Sequence, residues 1–115
     1  MQLEVRKYLF DIEQAADLLS QFVAGKTLDD YLKDPLLQSG VERQFEIIGE
    51  AISRLAKLDP SVAKRITDYQ RIISFRNILI HGYADIDDLL VWDIVETRLP
   101  VLHQEIKNIS AATSE

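Results

Sequence analysis

The sequence contains no cysteine, and its 115 residues include only four glycines, three prolines and one tryptophan. Without cysteine there can be no disulfides, thiolate catalysis, iron–sulfur clusters or cysteine-ligated zinc. The longest apolar run is Leu89-Leu90-Val91-Trp92, far shorter than the ~20 residues that cross a bilayer. Charges are scattered through the first twenty residues, where a signal peptide needs an apolar stretch. We therefore expect a cytoplasmic protein.

Length and charge restrict the chain further. A chain of this size forms one domain, and its 47% apolar residues can supply a core without a structural metal. We assign residues 1–110 to a single helical domain and 111–115 to a frayed tail. The net charge of −6 disfavours generic nucleic-acid binding, yet residues 61–84 carry a local charge of +3. The charged residues there are Lys64, Arg65, Arg71 and Arg76 against Asp68.

Apolar residues recur at helical spacing, and no segment alternates as a strand does. The first stripe predicts a helix that Gly25 ends: Val5, Leu9, Ile12, Ala16, Leu19 and Val23. Thr27 and Asp30 have the spacing of a capping box, which predicts a short helix. The next stripe, Val41 to Leu55, predicts a helix that closes near Pro60, with candidate starts at residues 34–35 and 39–42.

Two further helices complete an all-α, up-and-down bundle of four long helices plus a short one. Between Ile66 and His81, apolar residues surround nearly the whole helix, so this helix belongs at the bundle centre or in a subunit interface. The last helix begins near residues 85–88, and Pro100 should kink it near residue 96 without ending it. Gly49 lies mid-helix, which predicts a close approach by another backbone.

Polar residues interrupt the most apolar helix at Arg76, Asn77 and His81. Burying such groups is costly unless they are paired or open onto a groove. One interpretation is a buried polar network that fixes helix register; the other is a functional site. His81 lies in the last turn, where the helix dipole favours a protonated imidazole and hence a proton donor. Arg76 offers a fixed cation for a phosphate.

Arg76 and His81 are five residues apart, so an ideal helix places them about 140° apart around its axis. Asn77 lies one turn before His81. We hypothesise that a second copy of the helix, across a twofold axis, completes a composite site in a homodimer.

Other patterns have plainer explanations. Glu46, Glu50 and Arg54 follow at four-residue intervals, which is typical of a solvated ion-pair face. His81 and His103 lack the spacing of a helical metal chelate, so the sequence implies no metal and no cofactor. An aromatic cap on the bundle is the ordinary interpretation of Tyr83.

The segment Arg76-Asn77-x-x-x-His81-x-Tyr83 resembles the R-x4-H-x-Y motif of HEPN-domain toxins of the HepT (DUF86) type. The stretch Glu46-Ile47-Ile48-Gly49-Glu50-Ala51 resembles the IIGEA stretch of the same family, and Trp92 and Leu99-Pro100 stand in their expected places. The likeness spans nearly the whole chain.

This resemblance implies a homodimeric, metal-independent endoribonuclease of a toxin–antitoxin pair, acting on transfer RNA. It implies Arg76 and His81 as the catalytic pair, Asn77 as a supporting polar residue, and Tyr83 as the hydroxyl to which an MntA-type nucleotidyltransferase antitoxin attaches AMP. Glu50 carries over only as a motif residue. We further expect Lys64, Arg65 and Arg71 to contact RNA phosphates.

Two other functions stay open at this point. The bundle could be a non-catalytic module that binds a nucleotidyltransferase partner, in which Arg76 and His81 hold a nucleotide or serve only structure. It could also be a purely structural bundle, which requires both side chains to be fully buried and paired.

Overall fold

The computed structural model describes residues 2–82 and 85–113, and in these ranges the chain is helical without strands. Seven helices lie in the described ranges, which confirms the all-α class. They are two more than the predicted four long helices and one short one, because a short helix follows Pro60 and the last predicted helix is divided in two. Their bounds are α1 Leu3–Val23, α2 Leu28–Lys33, α3 Pro35–Leu58, α4 Pro60–Ala63, α5 Tyr69–His81, α6 Asp88–Thr97 and α7 Leu99–Thr113. None of the helices in these ranges is both long and apolar enough to cross a bilayer.

The two longest helices follow from their apolar stripes and their caps. In α1, the stripe from Val5 to Leu19 is buried, and Gly25 follows the helix with a φ of 72°. Thr27 and Asp30 form the predicted capping box at the start of α2. Helix α3 starts at Pro35, capped by the Asp34 carboxylate, and runs through residues 39–42 without a second start. The predicted start at 39–42 is therefore wrong.

Helix α3 is central to the bundle, because it packs against α1 on one side and against α5 on another. Phe45 of α3 and Phe75 of α5 meet edge to face with ring centroids 5.3 Å apart. Elsewhere in the same core, Tyr31 of α2 lies against Trp92 of α6, with ring centroids 5.2 Å apart. These contacts leave α5 attached mainly through one face.

The C-terminal part of the chain differs from the prediction. A single residue, Arg98, separates α6 from α7, so the predicted continuous helix with a kink near residue 96 is wrong. Pro100 lies in the first turn of α7, where a backbone N–H has no intrahelical acceptor to lose. Proline is compatible with a helix start for that reason, and the chain restarts its helix there. Helix α7 continues to Thr113.

Helix α5 is also less buried than its apolar composition suggests. Only Phe75 and Leu79 are buried in it, whereas Ile78 and Ile80 are 48% and 38% exposed. The helix starts at Tyr69 rather than Ile66, after Asp68 in a left-handed conformation with φ 55°. A position at the centre of the bundle is therefore wrong, and a subunit interface stays the prediction for this face.

Candidate functional site

The polar residues of α5 lie at its solvent side. Phe75 and Leu79 fix the helix to the core, and one turn separates them. The polar residues lie away from that buried face. Asn77 and His81 are exposed, and 24% of the Arg76 side chain is accessible to solvent. Within the described residues, no polar or charged side chain is fully buried. The interpretation of Arg76, Asn77 and His81 as a buried polar network is therefore wrong.

Gly49 brings α3 and α5 into close contact at Arg76. A Cβ added at Gly49 would lie 2.2 Å from the Arg76 Cβ and 2.7 Å from its Cγ. It would also lie 3.4 Å from the backbone oxygen of Ile72. The predicted close approach at Gly49 is confirmed. Because Gly49 has no side chain, the Cβ and Cγ of Arg76 pack directly against the backbone of α3.

The Arg76 guanidinium is held at two of its nitrogens. Its Nη2 donates to the Glu50 carboxylate, and its Nη1 donates to the Asn77 Oδ1 at 2.8 Å. A guanidinium has five N–H donors, so these two contacts leave others free for a phosphate. The Nε is buried and has no hydrogen-bond partner among the described residues. Asn77 and Glu50 thus orient Arg76 without using up its donors.

Glu50 has a larger role than the sequence indicated. It pairs with Arg54 at 2.8 Å, as the four-residue spacing predicts, and its second oxygen accepts from Arg76 of α5. The hydrogen bond from Arg54 is the main reason that the pKa of Glu50 lies below its usual value; partial burial opposes it, and the charge of Arg76 adds to it. Glu46 pairs with Arg43 instead, at 3.4 Å. One carboxylate therefore serves two arginines.

Arg76 and His81 are not brought together within one chain. Arg76 lines a depression of about 430 Å³ between α1, α3 and α5, and Ile80 lines it as well, whereas His81 lies outside it. Within the described ranges, no side-chain hydrogen bond or ion pair joins His81 to Arg76, whose guanidinium contacts Asn77 and Glu50 instead. This agrees with the angular separation expected for positions five residues apart on a helix. The purely structural interpretation is wrong, because it required both side chains to be fully buried.

The other basic residues predicted to contact RNA lie elsewhere. Lys64 and Arg71 border a shallow depression of about 310 Å³ at the start of α5, and Arg65 is exposed nearby in sequence. Asp68, in the same segment, is paired with Arg98 at 2.7 Å. None of these three cations lines the depression at Arg76. Their role as phosphate contacts stays a prediction, and Tyr83 lies outside the described residues.

A second polar cluster links α1 to α7. His103 contacts the Asp17 carboxylate through Nε2 and the Ser20 hydroxyl through Nδ1 at 3.1 Å. None of the three lines the depression at Arg76 or the one at the start of α5. The cluster acts as a link between two helices. Sequence reasoning missed it because Asp17 and His103 are 86 residues apart.

Among the described residues, no three histidine or acidic side chains are grouped so that they could hold a metal ion. What the fold does present is an α-helical bundle with a fixed arginine and an exposed histidine on one helix. The protein is thus a small helical bundle with a polar site on a helix that is buried on one face.

Comparison with known proteins identifies the family. The model of the Ribonuclease HepT-like family matches residues 12–109, so the chain belongs to that family. No solved structure matches the chain.

Several relatives cover nearly the whole chain. "Putative RNase TTE0752" of Caldanaerobacter subterraneus subsp. tengcongensis is 32% identical over 104 residues, which are 90% of this chain and 92% of that protein. "Probable ribonuclease HepT" of Thermococcus cleftensis is 30% identical over 112 residues, covering 95% of this chain and 98% of the relative. "Gamma-glutamylcyclotransferase and putative RNase MJ0434" of Methanocaldococcus jannaschii is 34% identical, but the match covers only 49% of that longer protein.

Proposed function

We propose that this protein is a metal-independent endoribonuclease in which Arg76 and His81 carry out the chemistry. The observation that carries the proposal is the setting of Arg76: a guanidinium seated against Gly49, oriented by Glu50 and Asn77, and still accessible to solvent. Membership of the HepT-like family and the ribonuclease names of its relatives support the same activity.

The reaction needs only groups that the chain and RNA supply. The ribose 2′-oxygen attacks the adjacent phosphorus and the bond to the 5′-oxygen breaks, which gives a 2′,3′-cyclic phosphate and a free 5′-hydroxyl. Arg76 stabilises the negative charge that grows on the phosphate oxygens. His81 takes the proton of the 2′-hydroxyl or delivers one to the leaving oxygen. Asn77 supports the reaction by keeping Arg76 in orientation.

One histidine per chain supplies only one of these proton transfers at a time. A homodimer resolves this if two copies of α5 face each other, so that both His81 side chains line one groove between the chains and divide the acid and base roles. The exposed Ile78 and Ile80 flank the solvent face of α5 on opposite sides, about 200° apart, so apolar side chains border the face on which a second copy would pack. The dimer hypothesis fails if mixed dimers with one His81→Ala subunit keep full activity per site.

We further propose that the protein is the toxin of a toxin–antitoxin pair and that its substrate is transfer RNA. In this proposal an MntA-type nucleotidyltransferase antitoxin transfers AMP to Tyr83. Tyr83 is two residues from His81 in sequence, so an added phosphate would bring negative charge close to the catalytic histidine and compete with RNA. Mass spectrometry of the protein after incubation with the antitoxin and ATP tests this, with Tyr83→Phe as the control.

The activity is tested by incubating the protein with a transfer RNA pool in EDTA and mapping the ends of the products. Arg76→Ala and His81→Ala are expected to abolish cleavage while keeping the fold and the oligomeric state. Arg6→Ala removes an exposed arginine of α1 and should cleave as the wild type does. Absence of cleavage by wild type, with intact binding of a nucleotidyltransferase or a nucleotide, would favour the non-catalytic module instead.

A further inference from the structure

A groove runs past Arg76 on the side of α5 that faces α1 and α3. It consists of the 430 Å³ depression and a second depression of about 500 Å³, which share Tyr8, Glu50, Arg54 and Arg76 as lining residues. We call the two together the Arg76 groove. Its volume is large enough for more than one phosphate group, which is more than a single scissile phosphate at Arg76 requires.

Cations line this groove at both ends and in its middle. Lys7 of α1 and Arg43 of α3 lie in the first depression, Lys57 of α3 lies in the second, and Arg54 and Arg76 lie in both. Three helices thus bring five positive charges to one groove of a protein with a net charge of −6. Four carboxylates also line it, those of Glu4, Asp11, Glu46 and Glu50, so the lining keeps a small positive excess. Such a local concentration of cations is the electrostatic feature that attracts phosphates.

The acidic residues of the groove leave these cations available. Arg54 and Arg76 share the single carboxylate of Glu50, so this group of three side chains carries one positive charge in excess. Lys7 is 3.3 Å from Asp11 and Arg43 is 3.4 Å from Glu46, and both basic side chains are 68% exposed. Exposed ion pairs of this kind contribute little, so Lys7 and Arg43 can turn from their carboxylates to a phosphate at small cost.

The groove also has a direction. Ile80, one helical turn after Arg76, lines it, whereas His81 does not. A strand whose scissile phosphate is at Arg76 can therefore continue into the groove on the side away from His81. From this placement we infer that the Arg76 groove binds the backbone phosphates of the cleaved RNA strand next to the cleaved position, with Lys7 and Arg43 as contacts. The inference rests on the proposed ribonuclease function and adds the path of its substrate.

The experiment compares two double variants that remove the same charge. Lys7→Gln with Arg43→Gln removes two groove cations, while Lys26→Gln with Lys33→Gln removes two exposed lysines that line neither depression. Lys33 is a close match for Lys7, because it too pairs with an aspartate four residues away and is 73% exposed. Binding is measured by fluorescence anisotropy with an eight-nucleotide 2′-O-methyl RNA, which attack by a 2′-hydroxyl cannot cleave.

For a single strand, each phosphate contact contributes about 0.7 to the slope of log affinity against log salt concentration. The groove variant should therefore reduce the slope by about 1.4 relative to wild type. In transfer RNA cleavage it should raise KM and leave kcat unchanged. The control variant should keep the wild-type slope and KM.

Equal slopes for the two double variants would overturn the inference, and so would tighter binding of free AMP than of the oligonucleotide. Failure of the proposed function gives a different pattern. In that case wild type does not cleave transfer RNA, whether or not the oligonucleotide binds through Lys7 and Arg43.

Discussion

Substituting Gly49 by alanine tests the contact between α3 and α5 directly. The new Cβ would lie 2.2 Å from the Arg76 Cβ, and carbon atoms need about 3.5 Å, so the two helices must separate by roughly 1.3 Å at this point. Overpacking of this kind costs up to about 3 kcal/mol, and the better helix propensity of alanine returns about 1 kcal/mol. We expect a net loss of about 2 kcal/mol, or a fall in Tm of about 8 °C.

Gly40→Ala is the matched control, because Gly40 lies in the same helix. Its added Cβ would meet only the edge of the Phe22 ring at 3.3 Å, which a half-buried side chain can relieve by a small rotation. This variant should gain from helix propensity and keep or raise the Tm. Thermal unfolding followed by circular dichroism measures both. A Gly49→Ala protein as stable as the Gly40→Ala protein would refute the steric argument.

The same displacement bears on activity. Arg76 is seated through its Cβ and Cγ against Gly49, so moving the helices apart moves the guanidinium as well. A misplacement of about 1 Å at a catalytic group can reduce the rate by roughly 100-fold. We therefore expect Gly49→Ala to lose RNA cleavage even at temperatures at which it stays folded, whereas Gly40→Ala keeps it.

Three further predictions concern stability. The pKa of Glu50 is lowered in the folded protein, so its carboxylate stabilises the fold above the unfolded pKa of ~4.3, and this stabilisation is lost as pH falls through the folded pKa. The Tm difference between wild type and Glu50→Gln should therefore shrink from pH 6 to pH 3. A difference that stays constant over this range would contradict the prediction. Burial, with the charge of Asp88, raises the pKa of Glu42, so ionisation of this carboxyl group destabilises the fold as pH rises. Glu42→Gln should therefore raise the Tm at pH 7 and leave it unchanged at pH 4. Pro100→Ala should change the free energy of unfolding in urea by under ~1 kcal/mol, against the ~3 kcal/mol gain expected if Pro100 interrupted a helix interior.

The parts of the fold that the sequence predicted are those decided by local patterns. The stripe in α1, the capping box at Thr27 and the left-handed Gly25 each depend on residues within a few positions of one another. The close approach at Gly49 was also predictable, because glycine is costly in a helix interior unless something occupies the space of its side chain. The Arg76 segment stood out for a similar reason, since polar residues break an apolar helix there.

The rest depends on contacts between distant positions. The partner of Arg76 is Glu50, 26 residues earlier, and the sequence showed only that Glu50 faces Arg54. The break at Arg98 was missed because proline is equally compatible with a kink and with a new helix start, and the apolar stripe continues across both. The cation-lined groove combines residues of α1, α3 and α5, whose arrangement only the folded chain reveals.

Helix α5 shows how an apolar pattern can indicate burial without indicating where. Phe75 and Leu79 account for one face, which the core of the monomer covers. Ile78 and Ile80 lie on other faces and remain exposed, and Arg76 and His81 diverge around the same helix. A monomer thus leaves apolar side chains exposed on α5 and keeps Arg76 and His81 apart on the same helix. In the proposed dimer, a second copy of α5 would pack on the exposed face between the two isoleucines, where Asn77 and His81 lie. That single contact would bring His81 of one chain towards Arg76 of the other, two positions that helix geometry keeps apart within one chain.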